Sequence, residues 1–289
     1  MSAKFGPAGT AESFKAMGYK TSLQVPEYLK KFSLDCFEYQ CGRGVNIGED
    51  KARDLGKIAK ASNISLSLHA PYYISMSSVE EEKRLNSVNY ILASARAVNA
   101  MGGDRIVVHT GSCSKISRET ALELAKDTME LALNALKEEN LSHIHICPET
   151  MGKVNQLGTL EEVIELCKID ESLIPCIDFG HLNARDLGIL KTVDDFEHIF
   201  TEIKNNLGSD RLKVFHSHFS KIEYTTGGEK KHLTFEDTVF GPDFEPVMEL
   251  TYKYNLSPTF ICESAGTQTE DVKQMKDYYT SLQKGDENI

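Results

Sequence analysis

Six side chains able to bind metal stand at equivalent places along the chain: His69, His109, Glu149, Asp178, His216 and Glu263. Each ends a short apolar or β-branched run, namely Ser65–His69, Arg105–His109, Ile144–Glu149, Ile174–Asp178, Leu212–His216 and Thr259–Glu263. Three carboxylates brought together would repel unless protonated or given a counter-charge. Three imidazoles mixed with three carboxylates suit Zn²⁺ or Mn²⁺, with carboxylates bridging ions. Two such ions about 3.5–4 Å apart are the usual device for in-line displacement at phosphorus. One ion flanked by carboxylates can instead move protons on a sugar.

Such residues converge only if the elements carrying them are arranged to do so. Two further runs, Lys4–Gly6 and Cys36–Gln40, bring the strand-like segments to eight. Helix-like segments lie between them, over Glu49–Ala61, Val79–Ala100, Arg118–Glu139, Leu160–Lys168, Val193–Asn206, Phe244–Tyr254 and Thr269–Gln283. In the clearest, Leu122, Ala125, Met129, Ala132 and Leu136 recur at intervals of 3, 4, 3 and 4, one apolar stripe. Strand–helix alternation repeated eight times predicts an α/β chain, a single (β/α)8 TIM barrel over residues 1–289. An open doubly wound sheet would want a glycine-rich phosphate loop after its first strand, and Pro7 interrupts Gly6–Gly9 there. In a barrel all strand C-termini open on one face, so the six side chains meet at one mouth. Alternation supports this, since Ser65, Ser67 and His69 share a face, as do Cys176 and Asp178, and Val214 and His216.

Further residues can extend the site. His181 follows Asp178 closely, and His232 lies in the long loop Ser217–Pro242. Loops of that length in compact domains tend to be functional. His218 lies two residues past His216, and the sequence leaves open which way it faces. His143 and His145 precede their strand's lip and belong to the barrel interior or bottom, and His198 to the surface. Arg43, Lys115, Lys153, Arg185, Lys221, Lys230 and Lys231 fall in mouth loops, interleaved with Asp186, Glu223, Glu229 and Glu236.

Composition excludes several classes. The longest stretch free of Lys, Arg, Asp and Glu, Ala61–Val79, contains six serines and Pro71, so a membrane span is not expected. The N-terminus lacks an apolar signal core, and the seven cysteines show no CxxC spacing, which together predict a reduced, cytoplasmic protein. A net charge of −11 argues against a general nucleic-acid coat protein but allows a local phosphate site.

The chain resembles the endonuclease IV family of zinc-dependent apurinic/apyrimidinic endonucleases, within the xylose isomerase-like barrel superfamily. The resemblance is carried by Leu68–Tyr72 (LHAPY), Val108–Ser112 (VHTGS), Pro148–Thr150 (PET), Cys176–His181 (CIDFGH), His216–Lys221 (HSHFSK) and Cys262–Ser264 (CES). It implies two to three Zn²⁺, with Mn²⁺ as the alternative. His69 and His109 would bind one ion, and Asp178, His216 and Glu263 a second. Glu149 would bridge the two, and His181 and His232 would hold the third. The implied reaction is hydrolysis of the phosphodiester 5′ to an abasic site in DNA, as in base excision repair. Glu149 and Glu263 stand at the catalytic centre, and Tyr72, Arg43 and Lys221 face the DNA. A monomer is expected.

The chain departs from the pattern in three places. The family's third ion usually has an Asp two residues before the loop histidine; here that residue is Lys230, with Glu229 one step further off. The loop after the second strand is the short Cys41–Gly44, and His218 stands where Asn is common. The competing expectation is a divalent-metal sugar isomerase or epimerase on the same barrel, which would use Glu149, Asp178, His216 and Glu263 and leave His69 and His109 without a task. A non-catalytic metal-binding scaffold is the third class.

Overall fold

The computed structural model describes residues 2–286 of the 289-residue chain. Eight parallel strands form the barrel wall: β1 (Lys4–Pro7), β2 (Cys36–Gln40), β3 (Ser65–His69), β4 (Arg105–Val108), β5 (His145–Pro148), β6 (Cys176–Asp178), β7 (His216–Phe219) and, after an inserted hairpin, β10 (Thr259–Cys262). The hairpin is β8 (Ile222–Thr225) and β9 (Gly228–His232). The wall consists of two ladders, β1–β10–β7–β6 and β2–β3–β4–β5. Single parallel bridges, Ala8 to Glu38 and Glu149 to Cys176, join them into the closed ring expected. Gly6 makes the β1–β2 approach possible, because a Cβ there would stand 1.9 Å from the Cys36 carbonyl oxygen.

Helices jacket the wall, and the main apolar core fills the space between them. The helix Arg118–Glu138 starts at Ser117, whose side chain accepts from the Thr120 amide, and buries Ala121, Ala125, Met129, Ala132 and Leu136. Leu160–Cys167 begins with a capping box between Thr159 and Glu162. Inside the ring the residues are small or polar, including Val107, Cys147 and Cys176. Among the described residues no helix is long and apolar enough to cross a membrane.

Three elements differ from expectation. Leu212–His216 does not form a strand: Ser209–Val214 is helical, and β7 begins at His216. A five-residue run with three apolar side chains, Leu212, Val214 and Phe215, suits a buried helix turn as well as a strand, so the pattern cannot arbitrate. The consequence is large, because His216 starts β7 rather than ending it. Phe179–Arg185 forms a short helix directly on β6, with Asp178 as its N-cap. The long loop after β7 contains the β8–β9 hairpin.

Candidate metal centre

Glu149 stands at the centre of the mouth, its side chain 1% exposed. Its Oε2 lies 3.4 Å from Nε2 of His69 and 3.3 Å from Nε2 of His109. Its Oε1 lies 3.0 Å from Nδ1 of His218. One carboxylate thus serves two groups of donors, His69–His109–Glu149 and Glu149–Asp178–His218–Glu263. Oε2 of Glu149 and Oδ2 of Asp178 are buried and have no hydrogen-bond partner. A buried carboxylate oxygen without a partner is costly. Cations seated between these groups would satisfy both atoms, so the donor set fits divalent metal ions.

Three histidines at the mouth, His69, His181 and His232, hold one ring nitrogen on a hydrogen-bond partner and turn the other to the cluster. Nδ1 of His69 donates to the Ala70 carbonyl (2.8 Å), leaving Nε2 for the Glu149 side. Nδ1 of His181 donates to the Thr150 carbonyl (2.9 Å), leaving Nε2 toward Glu229 (3.4 Å). Nδ1 of His232 pairs with the Ser220 hydroxyl (2.8 Å). His218 is reversed: Nε2 sits against Oε1 of Glu38 at 2.9 Å, an ion-pair contact without hydrogen-bond alignment, and Nδ1 faces the cluster. Fixing one nitrogen sets the tautomer and aims the lone pair of the other, as metal-binding imidazoles require.

A third group joins His181, Glu229 and His232. Residues three apart on a regular strand face opposite ways. Here the hairpin register shifts between Glu223 and Tyr224, and this bulge re-aims the strand. Glu229 therefore reaches His181, while Lys230 turns to Glu223. The position where Asp was expected is thus filled in space by a residue one step away in sequence. Gly152 allows the close packing, since a Cβ there would stand 2.7 Å from Cβ of Glu229 and 2.9 Å from Cδ2 of His181.

The electrostatics reflect crowding. Burial pushes the Asp178 carboxyl up; His181 opposes this, while the charges of Glu149 and Glu263 add to it. Burial acts to neutralise His181, but Asp178 and Glu149 outweigh it and raise the imidazole to about 10. Burial dominates at His109 and lowers it.

His69, His109, Glu149, Asp178, His181, His232, Glu263 and Glu229 are brought to the mouth. His216 is not brought to Asp178 and Glu263. As the first residue of β7 it sits a layer deeper, with Nε2 2.9 Å from Oε2 of Glu38 and grouped with Cys176 and His218. His218 takes the place expected of His216, because alternation along β7 puts His218 beside Asp178 in the register. Glu38 was missed altogether. Its signal was faint, a single acid in the run Cys36–Gln40, where strand alternation would turn it inward.

The rim also differs in part. Tyr72 is 59% exposed, its ring 5.6 Å from that of His69 and 5.4 Å from that of His109. Its amide donates to the Gly42 carbonyl (3.1 Å), and Arg43, the next residue, is exposed. Lys221 is not free to face a ligand: its Nζ donates to the Asp237 carbonyl (2.7 Å) and pairs with Asp243 (2.9 Å), tying down the loop after the hairpin. Arg185 likewise donates to the carbonyls of Met151, Lys153, Val154 and Gln156. His143 and His145 lie at the bottom of the barrel, on Asn99 and the Ser172 carbonyl. His198 is exposed.

Residues 26–282 match the family described as xylose isomerase-like TIM barrel. The chain belongs to that family. Within reach of the same sequence is the uncharacterized protein MJ0133 of Methanocaldococcus jannaschii, 34% identical over 278 residues, 95% of this chain and 96% of that one. A probable endonuclease 4 of Mycoplasma genitalium is 27% identical over 245 residues, 78% of this chain and 79% of the other. Among solved structures, a D-tagatose 3-epimerase-like protein superposes with a TM-score of 0.73 at 18% identity, over 96% of this chain and 97% of the other. At that identity the likeness speaks for the barrel alone.

Proposed function

We propose that this protein is a divalent-metal-dependent phosphodiesterase that cuts DNA on the 5′ side of abasic sites. The observation carrying this reading is the sharing of Glu149 between two donor groups, with His69 and His109 against one of its oxygens and His218 against the other. In this reading His69, His109 and Glu149 hold one ion. Glu149, Asp178, His218 and Glu263 hold a second, and His181, Glu229 and His232 a third. Zinc suits the histidine-rich set, with manganese as the alternative. Bound there, the ions supply Lewis-acid activation and charge neutralisation at phosphorus.

The chain's own residues would do the rest. Glu263 is the carboxylate of its group open to solvent, with a side chain 16% exposed beside the 0% of Asp178 and 1% of Glu149, so it stands nearest an entering phosphate. A recessed mouth admits a nucleotide only after it leaves the stack. Tyr72 and Arg43 at the rim offer a stacking face and a cation for that step. Similarity to the probable endonuclease 4 supports this substrate.

A sugar epimerase is the second reading, favoured by the superposition on the epimerase-like structure and by the short Cys41–Gly44 loop. It would need only the Glu149–Asp178–His218–Glu263 set, and His69 and His109 would lack a task. A nicking assay on duplex DNA with one abasic analogue, with and without a strong chelator, separates the two. The expected result is a chelator-sensitive cut 5′ to the lesion. Intact DNA with metal-loaded protein would overturn the proposal and turn attention to ketose substrates.

A further inference from the structure

We infer that Glu38 is the positioning residue of this metal centre, holding Nε2 of His218 so that Nδ1 stays aimed at the Glu149 group. The inference rests on reading that group as a metal site. Glu38 lies on β2, across the barrel from β7, and is fully buried. It belongs to none of the metal-capable groups among the described residues. It reaches the Glu149 group only through His218.

A carboxylate with no exposure survives in a barrel only if its oxygens are occupied. Oε2 accepts from the Ser67 hydroxyl (3.0 Å) and from Nε2 of His216 (2.9 Å). Oε1 accepts from Nε2 of Gln40 (3.3 Å) and makes an ion-pair contact with Nε2 of His218 at 2.9 Å, short of hydrogen-bond alignment. Three strands supply these partners: β2 itself, β3 through Ser67, which is Glu38's partner in register, and β7. The carboxylate is therefore fixed independently of His218 and can act as its anchor.

This gives His216 a part as well. Its Nε2–H is committed to Glu38, and its Nδ1 is buried without a partner. His216 steadies the anchor from below while His218 presents a donor above. A carboxylate behind a ligating imidazole fixes its orientation and raises its basicity toward the ion, and loss of such a partner typically costs about 10–100-fold in metal affinity.

The test uses the full chain loaded with Co²⁺, whose visible absorption reports the ligand field directly. Glu38→Gln keeps the volume and removes the charge. The expected result is a shifted Co²⁺ spectrum and a fall of about 10–100-fold in affinity for one ion by chelator competition, with partial recovery in Glu38→Asp. A folded Glu38→Gln variant with unchanged spectrum and affinity would overturn the inference. If that variant does not fold, Ser67→Ala removes one hydrogen bond from Oε2; a smaller spectral shift in the same sense supports the inference, and an unchanged spectrum overturns it. These readouts need no substrate, so protein that binds Co²⁺ but fails to nick DNA leaves the inference standing. Wild-type protein that takes up no Co²⁺ would overturn it together with the metal reading.

Discussion

Nδ1 of His218 lies 3.0 Å from Oε1 of Glu149, although 69 residues separate them in the chain. The pairing places His218, rather than His216, in the central donor group, and it follows from where β7 begins. With the strand starting at His216, two residues of rise bring His218 level with Asp178.

The first prediction concerns these two histidines. His218→Ala removes a donor and should lower affinity for the central ion by more than about 100-fold, beyond what outer-shell changes cost. His216→Gln should stay within about 10–100-fold. Chelator competition on both variants, with circular dichroism as the folding control, decides the order. Equal losses would contradict the assignment.

Gly152→Ala should empty the third group selectively. The added methyl meets Cβ of Glu229 and the ring of His181 inside van der Waals distance, so the hairpin must move away. Metal content by elemental analysis should fall by one ion per chain relative to wild type. Full retention would mean that the hairpin yields without losing its donors.

Tyr72→Ala should leave metal content unchanged, because the ring only flanks His69 and His109. If it stacks on a displaced nucleotide, about 1–3 kcal/mol is lost, raising KM for abasic DNA roughly 5- to 150-fold. Steady-state kinetics on the abasic duplex would show it. An unchanged KM would remove Tyr72 from the DNA interface.

Glu162 supports the mouth from outside and predicts a pH dependence of stability. Its carboxylate pairs with Arg118 (2.6 Å) and accepts from the amides of Gly158 (2.7 Å) and Thr159 (2.9 Å). Arg118 in turn holds the carbonyls of Val154 and Gln156. Burial pushes the Glu162 carboxyl up, but Arg118 and the two amides outweigh it, leaving it below the usual range. A depressed folded-state value means stability that is present at neutral pH and lost as pH falls through that value. Glu162→Gln should therefore cost about 1–3 kcal/mol near neutrality and progressively less in acid. Urea unfolding at both conditions tests this; a cost independent of pH would assign the effect to packing.

Strand ends were legible in the chain because barrel strands carry their own marks: short β-branched runs, period-two alternation and a polar terminal residue. His69, His109, Glu149, Asp178 and Glu263 needed only that local pattern and the rule that all strand C-termini share one face. The helices were equally plain wherever an apolar stripe ran for three turns or more, as in Arg118–Glu138.

Three features were decided only by the folded chain. Whether Leu212–His216 is helix or strand depends on what it packs against, and that choice moves the donor from His216 to His218. Glu229 enters the third group through a hairpin bulge, which no one-dimensional period describes. Glu38 joins the site from β2, meeting His216 across 178 residues of sequence. Local propensity and alternation act within one element. Register, bulges and contacts across the barrel arise only when elements are packed together, so the chain names the donors at its strand ends while tertiary structure selects which of them share an ion and what holds them in place.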